Sequence, residues 1–218
     1  ATWTVPSVTD NCSGATITRI TGPAPGSTFP LGISNIVYIA TDGAGNTTTS
    51  GFTITVVDAT SPVITGCPSD ISVNAGAACS AVATWAAPTV TDLCSIASIT
   101  RTAGPAPGST FPIGLTNIVY TATDGAGNTA TCSFTVTVVD ATDPTISCPA
   151  AVAATTNSGC TATGVALGTP VTADNCGVAT VTNDAPAVFP IGVTIVTWTI
   201  TDNSGNTATC TQDVTVTD

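Results

Sequence analysis

Apolar side chains fall on every second position through the best-defined stretches of the chain. Ile118, Tyr120 and Ala122 share one face of such a stretch, and Phe134, Val136 and Val138 share a face of the next. This period of two is that of a β-strand with one face buried. Between the two runs, Asp124-Gly125-Ala126-Gly127-Asn128 has the chemistry of a tight connection: glycines reach positive φ, while Asp and Asn bond the local backbone. The pattern predicts two antiparallel strands and a turn here, with further strands around Ile71 to Ala75, Ser80 to Ala86 and Ile96 to Thr102. Six or seven short strands in about eighty residues point to an immunoglobulin-like or fibronectin-III-like β-sandwich.

The chain also repeats itself. ITRITGPAPGSTFPLGISNIVYIATDGAGNTTTSGFTITVVDATSPVIT, from Ile17 to Thr65, returns as ITRTAGPAPGSTFPIGLTNIVYTATDGAGNTATCSFTVTVVDATDPTIS from Ile99 to Ser147. A third, divergent copy keeps Phe189-Pro190-Ile191-Gly192, Asp202-Asn203-Ser204-Gly205-Asn206 and Ala208-Thr209-Cys210. The expected division is a partial repeat at 1–60 lacking its N-terminal strands, a complete repeat at 61–142 and a complete, more divergent one at 143–218. The connectors fall near Asp58 to Pro62 and Asp140 to Pro144; they are short and carry a proline that restricts its own φ and the preceding residue. Sandwiches so joined are expected to form a semi-rigid rod.

Registering the copies on their cysteines gives Cys67, Cys79, Cys94 and Cys132 in the second repeat, and Cys148, Cys160, Cys176 and Cys210 in the third. The first keeps only Cys12, with Ser50 in the place of Cys132. The partner of Cys12 is expected upstream of the chain. The absence of His makes zinc binding or thiol catalysis a poor use for these cysteines, whereas structural disulfides fit an oxidising compartment. All 13 acidic residues are Asp, Arg19 and Arg101 are the only cations, and the net charge is −11. Nucleic acid is therefore not an expected partner, since no basic groove exists to neutralise phosphates. No apolar run approaches the ~20 residues of a membrane span, so no membrane insertion is expected in this segment. Without His, Lys or Glu, and with no Gly-x-Ser-x-Gly elbow, the chain is not expected to be an enzyme. The missing Lys also removes isopeptide bracing.

Cys67-Pro68, Trp85, Pro88, Thr91-Asp92, Phe111-Pro112-Ile113-Gly114, Tyr120-Thr121-Ala122-Thr123-Asp124, Gly127-Asn128 and Cys132-Ser133-Phe134 together resemble the hyalin repeat, or HYR domain, over essentially the whole chain. The third repeat departs from the pattern by placing Ala166 where Trp is expected. The resemblance implies an extracellular or cell-surface protein; such repeats occur in animal extracellular proteins and in long surface adhesins of flavobacteria, including those of gliding motility, where they form stalks. It also implies disulfides joining Cys67 with Cys132, Cys79 with Cys94, Cys148 with Cys210, and Cys160 with Cys176. No catalytic or cofactor-binding residue carries over.

Calcium is the strongest chemical alternative. Asp58, Asp140 and Asp143 lie at connectors, and Asp10, Asp92 and Asp174 each stand two residues before a cysteine at an expected domain end; carboxylates gathered there suit a hard cation. Asp42, Asp124 and Asp202 read instead as turn residues, and Trp198, which replaces Tyr120 in an alternating strand, reads as core. Asn11-Cys12-Ser13 and Asn46-Thr47-Thr48 fit the glycosylation sequon. The expected role is a structural spacer holding a distal adhesive tip, in contact with neighbouring repeats of the same chain. A multivalent binder of polysaccharide or protein and a filament subunit contacting other copies are the alternatives.

Overall fold

A computed structural model of the chain describes residues 1–12 and 14–218; Ser13, the last residue of one sequon, lies outside the described residues. The fold is all-β, and no helix is long and apolar enough to cross a membrane. Two compact units divide the chain: Ala1–Ile64 with Val90–Ile99 and Ala122–Ala130, and Thr65–Thr89 with Thr100–Thr121 and Thr131–Asp218. The second repeat contributes to both.

In the first repeat β1 (Thr16–Thr21), β2 (Gly32–Thr41) and β3 (Thr47–Val56) form an antiparallel sheet in that order. The second repeat adds β4 (Val63–Thr65), β5 (Ile71–Asn74), β6 (Ser80–Val82), β7 (Thr89–Thr91), β8 (Ser98–Ala103), β9 (Thr110–Pro112), β10 (Gly114–Thr123) and β11 (Thr129–Val139). Its main sheet runs β5-β11-β10-β8, with the short pairs β4-β7 and β6-β9 beside it. The third repeat has the same plan: β12 (Thr145–Ser147), β13 (Val152–Thr155), β14 (Thr161–Thr163), β15 (Val171–Ala173), β16 (Val178–Asn183), β17 (Val188–Pro190), β18 (Gly192–Asp202) and β19 (Thr207–Thr217), in a sheet β13-β19-β18-β16 and pairs β12-β15 and β14-β17. The first long-sheet strand runs parallel to the last, Ile71 opposite Val136 and Val152 opposite Val214. In each complete repeat, burial follows the alternation read from the sequence, with Ile118, Tyr120, Ala122, Phe134, Val136 and Val138 all inside.

One aromatic arrangement organises two of the cores. Trp85 packs on Phe111 and meets Phe134 edge-on, with ring centroids 6.1 and 5.2 Å away, and its Nε1–H donates to the Tyr120 hydroxyl at 2.9 Å. Trp3 repeats this with Phe29, Phe52 and Tyr38. Phe52 is nevertheless 39% exposed where Phe134 is 4%, because β3 is an edge strand and β11 is covered by β5. In the third repeat, lacking the Trp at Ala166, the core is rewired. Trp198 is buried, as its place in an alternating strand implied, and donates from Nε1 to Gln212 Oε1 at 3.0 Å. Gln212 stands in the position of Phe134, and its Nε2 donates to the carbonyls of Ala150 and Leu167 at 2.7 and 2.8 Å. A buried amide with every polar atom partnered thus replaces an aromatic edge.

Cys67 is joined to Cys132 and Cys148 to Cys210, each pair tying the entry of a repeat to its last strand. The other two expected pairs are corrected. Cys79 is joined to Cys176, while Cys94 and Cys160, like Cys12, are exposed thiols. In the third repeat the reason is strand length: the turn carrying Cys160 adjoins the end of β19, through Thr156 N–H to the Thr217 carbonyl. The loop carrying Cys176 contacts the turn before β19, through Asn203 N–H to the Gly177 carbonyl. An 11-residue strand separates the two by roughly 30 Å, far beyond a disulfide's reach. In the second repeat, Cys79 belongs to the second unit and Cys94 to the first.

Replacing Gln212 with Leu strands the Trp198 N–H and two carbonyls. At ~1 kcal/mol or more for each orphaned buried group, the expected loss is about 3 kcal/mol or more in guanidinium unfolding followed by tryptophan fluorescence. A loss below about 1 kcal/mol would mean that water or neighbouring groups already satisfy these atoms.

Candidate functional site: the repeat junctions

Sequence places an Asp at three kinds of position that folding draws together: the connector, the loop before a cysteine, and the turn of the long hairpin. Asp58, Asp92 and Asp124 form one such group within the first unit, and Asp140, Asp174 and Asp202 form another within the second. In each group the three residues offer carboxylate oxygens within 4.8 Å of one another. Of the calcium candidates taken from the sequence, Asp58, Asp92, Asp140 and Asp174 are thus gathered. Asp143 is not among the grouped carboxylates. Asp124 and Asp202, assigned to turns alone, are the members the reading missed.

Their turn role is real and explains their placement. Asp124 Oδ1 accepts the backbone N–H groups of Ala126 and Asn128 at 2.9 and 2.8 Å, and its Oδ2 accepts Asn128 Nδ2 at 2.8 Å. Asp202 makes the same bonds with Ser204 and Asn206, and Asp42 with Ala44 and Asn46. The Asn side chain then reaches outward. Asn128 Nδ2 donates to the Asp58 carbonyl at 3.2 Å, and Asn206 Nδ2 to the carbonyls of Asp140 and Thr142 at 3.3 Å each. The turn of one repeat thereby grips the connector leading into it.

Loop residues complete each group. Asp92 Oδ2 accepts the N–H of Cys94 and of Ser95, and the Ser95 hydroxyl lies 3.2 Å from both Asp58 Oδ2 and Asp92 Oδ2. Asp174 Oδ2 accepts the Cys176 N–H at 2.6 Å, Asn175 Nδ2 donates to the Gly76 carbonyl and to Asp140 Oδ1, and Ser204 Oγ donates to Asp140 Oδ2. Asp92 Oδ1 and Asp174 Oδ1 are buried without a protein partner among the described residues.

Burial alone raises the Asp124 and Asp202 pKa values, but the bonds from Asn128 and Asn206, side chain then backbone, outweigh it and leave both below the ordinary carboxylate range. Asp42 is lowered by Asn46 in the same way. The Cys94 thiol moves the other way, pushed up by the charge of Asp58, by burial, and by Asp92 and Asp124. Chemically, each group is a set of hard anionic oxygens with neutral donors around it and no cationic side chain, which suits a structural role and the ligand preferences of Ca²⁺.

The HYR domain profile matches this chain three times, over residues 1–56, 57–138 and 139–216. The chain belongs to the HYR domain family. Hyalin of Strongylocentrotus purpuratus is 39% identical over 97% of the chain and 18% of its own length, and hyalin of Lytechinus variegatus 37% identical over 98% and 42%. The chain therefore spans less than half of either relative. A sushi, von Willebrand factor type A, EGF and pentraxin domain-containing protein of Rattus norvegicus matches 31% of the chain at 43% identity. Among solved structures, Drosophila N-cadherin EC1-3 aligns over 97% of the chain and 91% of its own at 12% identity and a TM-score of 0.38.

Because the native state favours the ionised form of Asp42, Asp124 and Asp202, their stabilisation is complete above the unfolded carboxylate pKa of ~3.9 and is lost as pH falls through the lower native values. Unfolding free energy is expected to stay level from pH 7 to about 5 and to drop below about 4. Asp124→Asn combined with Asp202→Asn should flatten that drop and lower stability at pH 7. An unchanged acid limb in denaturant titrations would remove these carboxylates from the account.

Proposed function

We propose that these repeats are the spacer of an extracellular, adhesion-related protein, holding a binding tip at a distance while themselves making no specific adhesive contact. The observation that carries this reading is the Cys79–Cys176 disulfide, which crosses from the second repeat to the third, together with the Asn206 and Asn175 bonds at the same junction. A covalent link and a bonded connector suit a load-transmitting role. The disulfides also fit an oxidising location outside the cell. Aromatic residues favour the spacer over a sugar-binding surface: Trp85, Trp198, Phe111, Phe134 and Phe189 lie in cores, and Phe52 is the most exposed Phe or Trp among the described residues. No catalytic role is proposed.

Calcium is the second reading, favoured by the unpartnered Asp92 Oδ1 and Asp174 Oδ1 within the two carboxylate groups. An ion there would draw connector, loop and turn together and add to the disulfide.

Three arms of one experiment separate these contributions: thermal unfolding and solution scattering of the oxidised chain with Ca²⁺, with chelator, and as the Cys79→Ser/Cys176→Ser variant. The variant is expected to retain folded repeats, to lose about 2–4 kcal/mol from the second unit and to sample a wider range of dimensions. Unchanged dimensions in the variant would defeat the spacer mechanism. A melting point that falls on chelation supports the ion; one that stays fixed leaves the disulfides and hydrogen bonds as the bracing.

A further inference from the structure

The Cys79–Cys176 disulfide differs from Cys67–Cys132 and Cys148–Cys210 in where its cysteines stand. Cys132 is buried, and Cys148 and Cys210 pack against the core around Trp198. Each of those bonds is anchored in the interior of its own sandwich. Cys79 instead ends a surface turn in which Ala77 and Ala78 are exposed, and both Cys79 and Cys176 are only half-buried. Opening their bond takes no link away from either core.

The backbone sets this disulfide apart a second time. Cys79 has a φ of +54°, and it is the one non-glycine residue in the left-handed region among the described residues. A Cβ there crowds the neighbouring carbonyl oxygen, so an L-residue stays in that conformation only where its surroundings enforce it. Here the enforcing contacts come from both repeats. Cys79 N–H donates to the Gly76 carbonyl at 3.0 Å and Gly76 N–H to the Ser80 carbonyl at 2.9 Å, while Asn175 Nδ2 of the third repeat donates to the same Gly76 carbonyl at 3.2 Å. The corresponding turn of the third repeat, closed by Asn157 N–H to the Thr161 carbonyl, puts its left-handed residue on Gly159, with a φ of +64° and no Cβ to crowd. The second repeat has Ala78 in that place, so the cysteine carries the strain itself.

We propose that Cys79–Cys176 is a site of thiol–disulfide exchange, opened by a dithiol reductant ahead of the other two disulfides, so that the link between two repeats is reversible while the links inside them persist. Strained and accessible disulfides are the labile ones. The consequence, a junction that can be loosened, rests on the spacer reading; the chemistry does not. A thiolate of the reductant attacks the Cys79 sulfur on the open turn, since the carboxylates of Asp174 and Asp140, held beside Cys176 and Asn175, repel an anion from the Cys176 side. The S–S bond breaks and its electron pair goes to the Cys176 sulfur, which accepts a hydrogen bond from Asn175 Nδ2 at 3.4 Å and takes a proton from water. The second thiolate of the reductant then attacks the reductant's own sulfur in the mixed disulfide, and Cys79 leaves and is protonated in turn. Two electrons and two protons have passed to the protein, and the reductant departs as a cyclic disulfide.

The test is to equilibrate the native chain with dithiothreitol over a range of reduced-to-oxidised ratios, quench in acid, and assign the thiols by differential alkylation and peptide mapping. Cys79 and Cys176 are expected to open at a ratio about tenfold less reducing than either other pair requires, the size of one residue's left-handed strain. The near-ultraviolet circular dichroism of the tryptophans should be kept at that step. The Cys12→Ser/Cys94→Ser/Cys160→Ser chain, which has no other thiol to exchange with, should show the same order. Opening of Cys79–Cys176 together with the other pairs, or after them, would overturn the proposal, as would loss of the tryptophan signal when it opens. Solution scattering at the ratio that opens this bond alone reads the spacer mechanism separately: wider dimensions support that mechanism, and unchanged dimensions defeat it while the order of reduction stands.

Discussion

The side-chain amide of Asn206 is held on one side by Asp202, in its own turn, and on the other by the main-chain carbonyls of Asp140 and Thr142. Much of the junction follows from this contact. It sets the hairpin turn against the incoming connector, which puts the Asp140 side chain in reach of Ser204 and Asn175. Asn175 in turn lies against Gly76, next to the cysteine that Cys176 captures. The same residues recur as Asn128 on Asp58 within the first unit. A charged carboxylate binding three donors of its own turn keeps that turn rigid enough for its neighbour to serve as a fixed hook.

The sandwich was legible because its signal is local and redundant. Alternation on β10 and β11, Gly and Asn between them, and a second copy of the same text all point to one hairpin. The short strands β4, β7, β12 and β15 were not, since three residues show no period and gain their partners only from tertiary contact. The Trp85 position was half legible: Ala166 announced a different core, and Gln212 shares the inward parity of Val214 and Val216 on β19, but nothing local says that its amide bonds Trp198.

The cysteines mark the limit of the family pattern. Treating a repeat as self-contained leaves Cys79 for Cys94 and Cys160 for Cys176, and both assignments fail because Cys79 and Cys176 join each other across the boundary between the second and third repeats, leaving Cys94 and Cys160 as thiols. Asp124 and Asp202 were overlooked for a related reason. Their turn chemistry is complete within five residues, so no local feature asks for a second role; their distance in sequence from Asp58 and Asp140 hides the convergence.

Gln212 has a consequence for how such a chain sorts its own strands. Neighbouring domains of near-identical text are prone to exchange segments while folding. β3 and β11 both offer Phe to a Trp, through Phe52 and Phe134, and are chemically interchangeable at that position. β19 is not. Inserted opposite Trp85 it would replace an aromatic edge with an amide, and a Phe strand beside Trp198 would leave that indole and two carbonyls unanswered. The polar core of the last repeat thus matches β19 to Trp198 and sets a free-energy cost on exchange with the Phe-bearing strands.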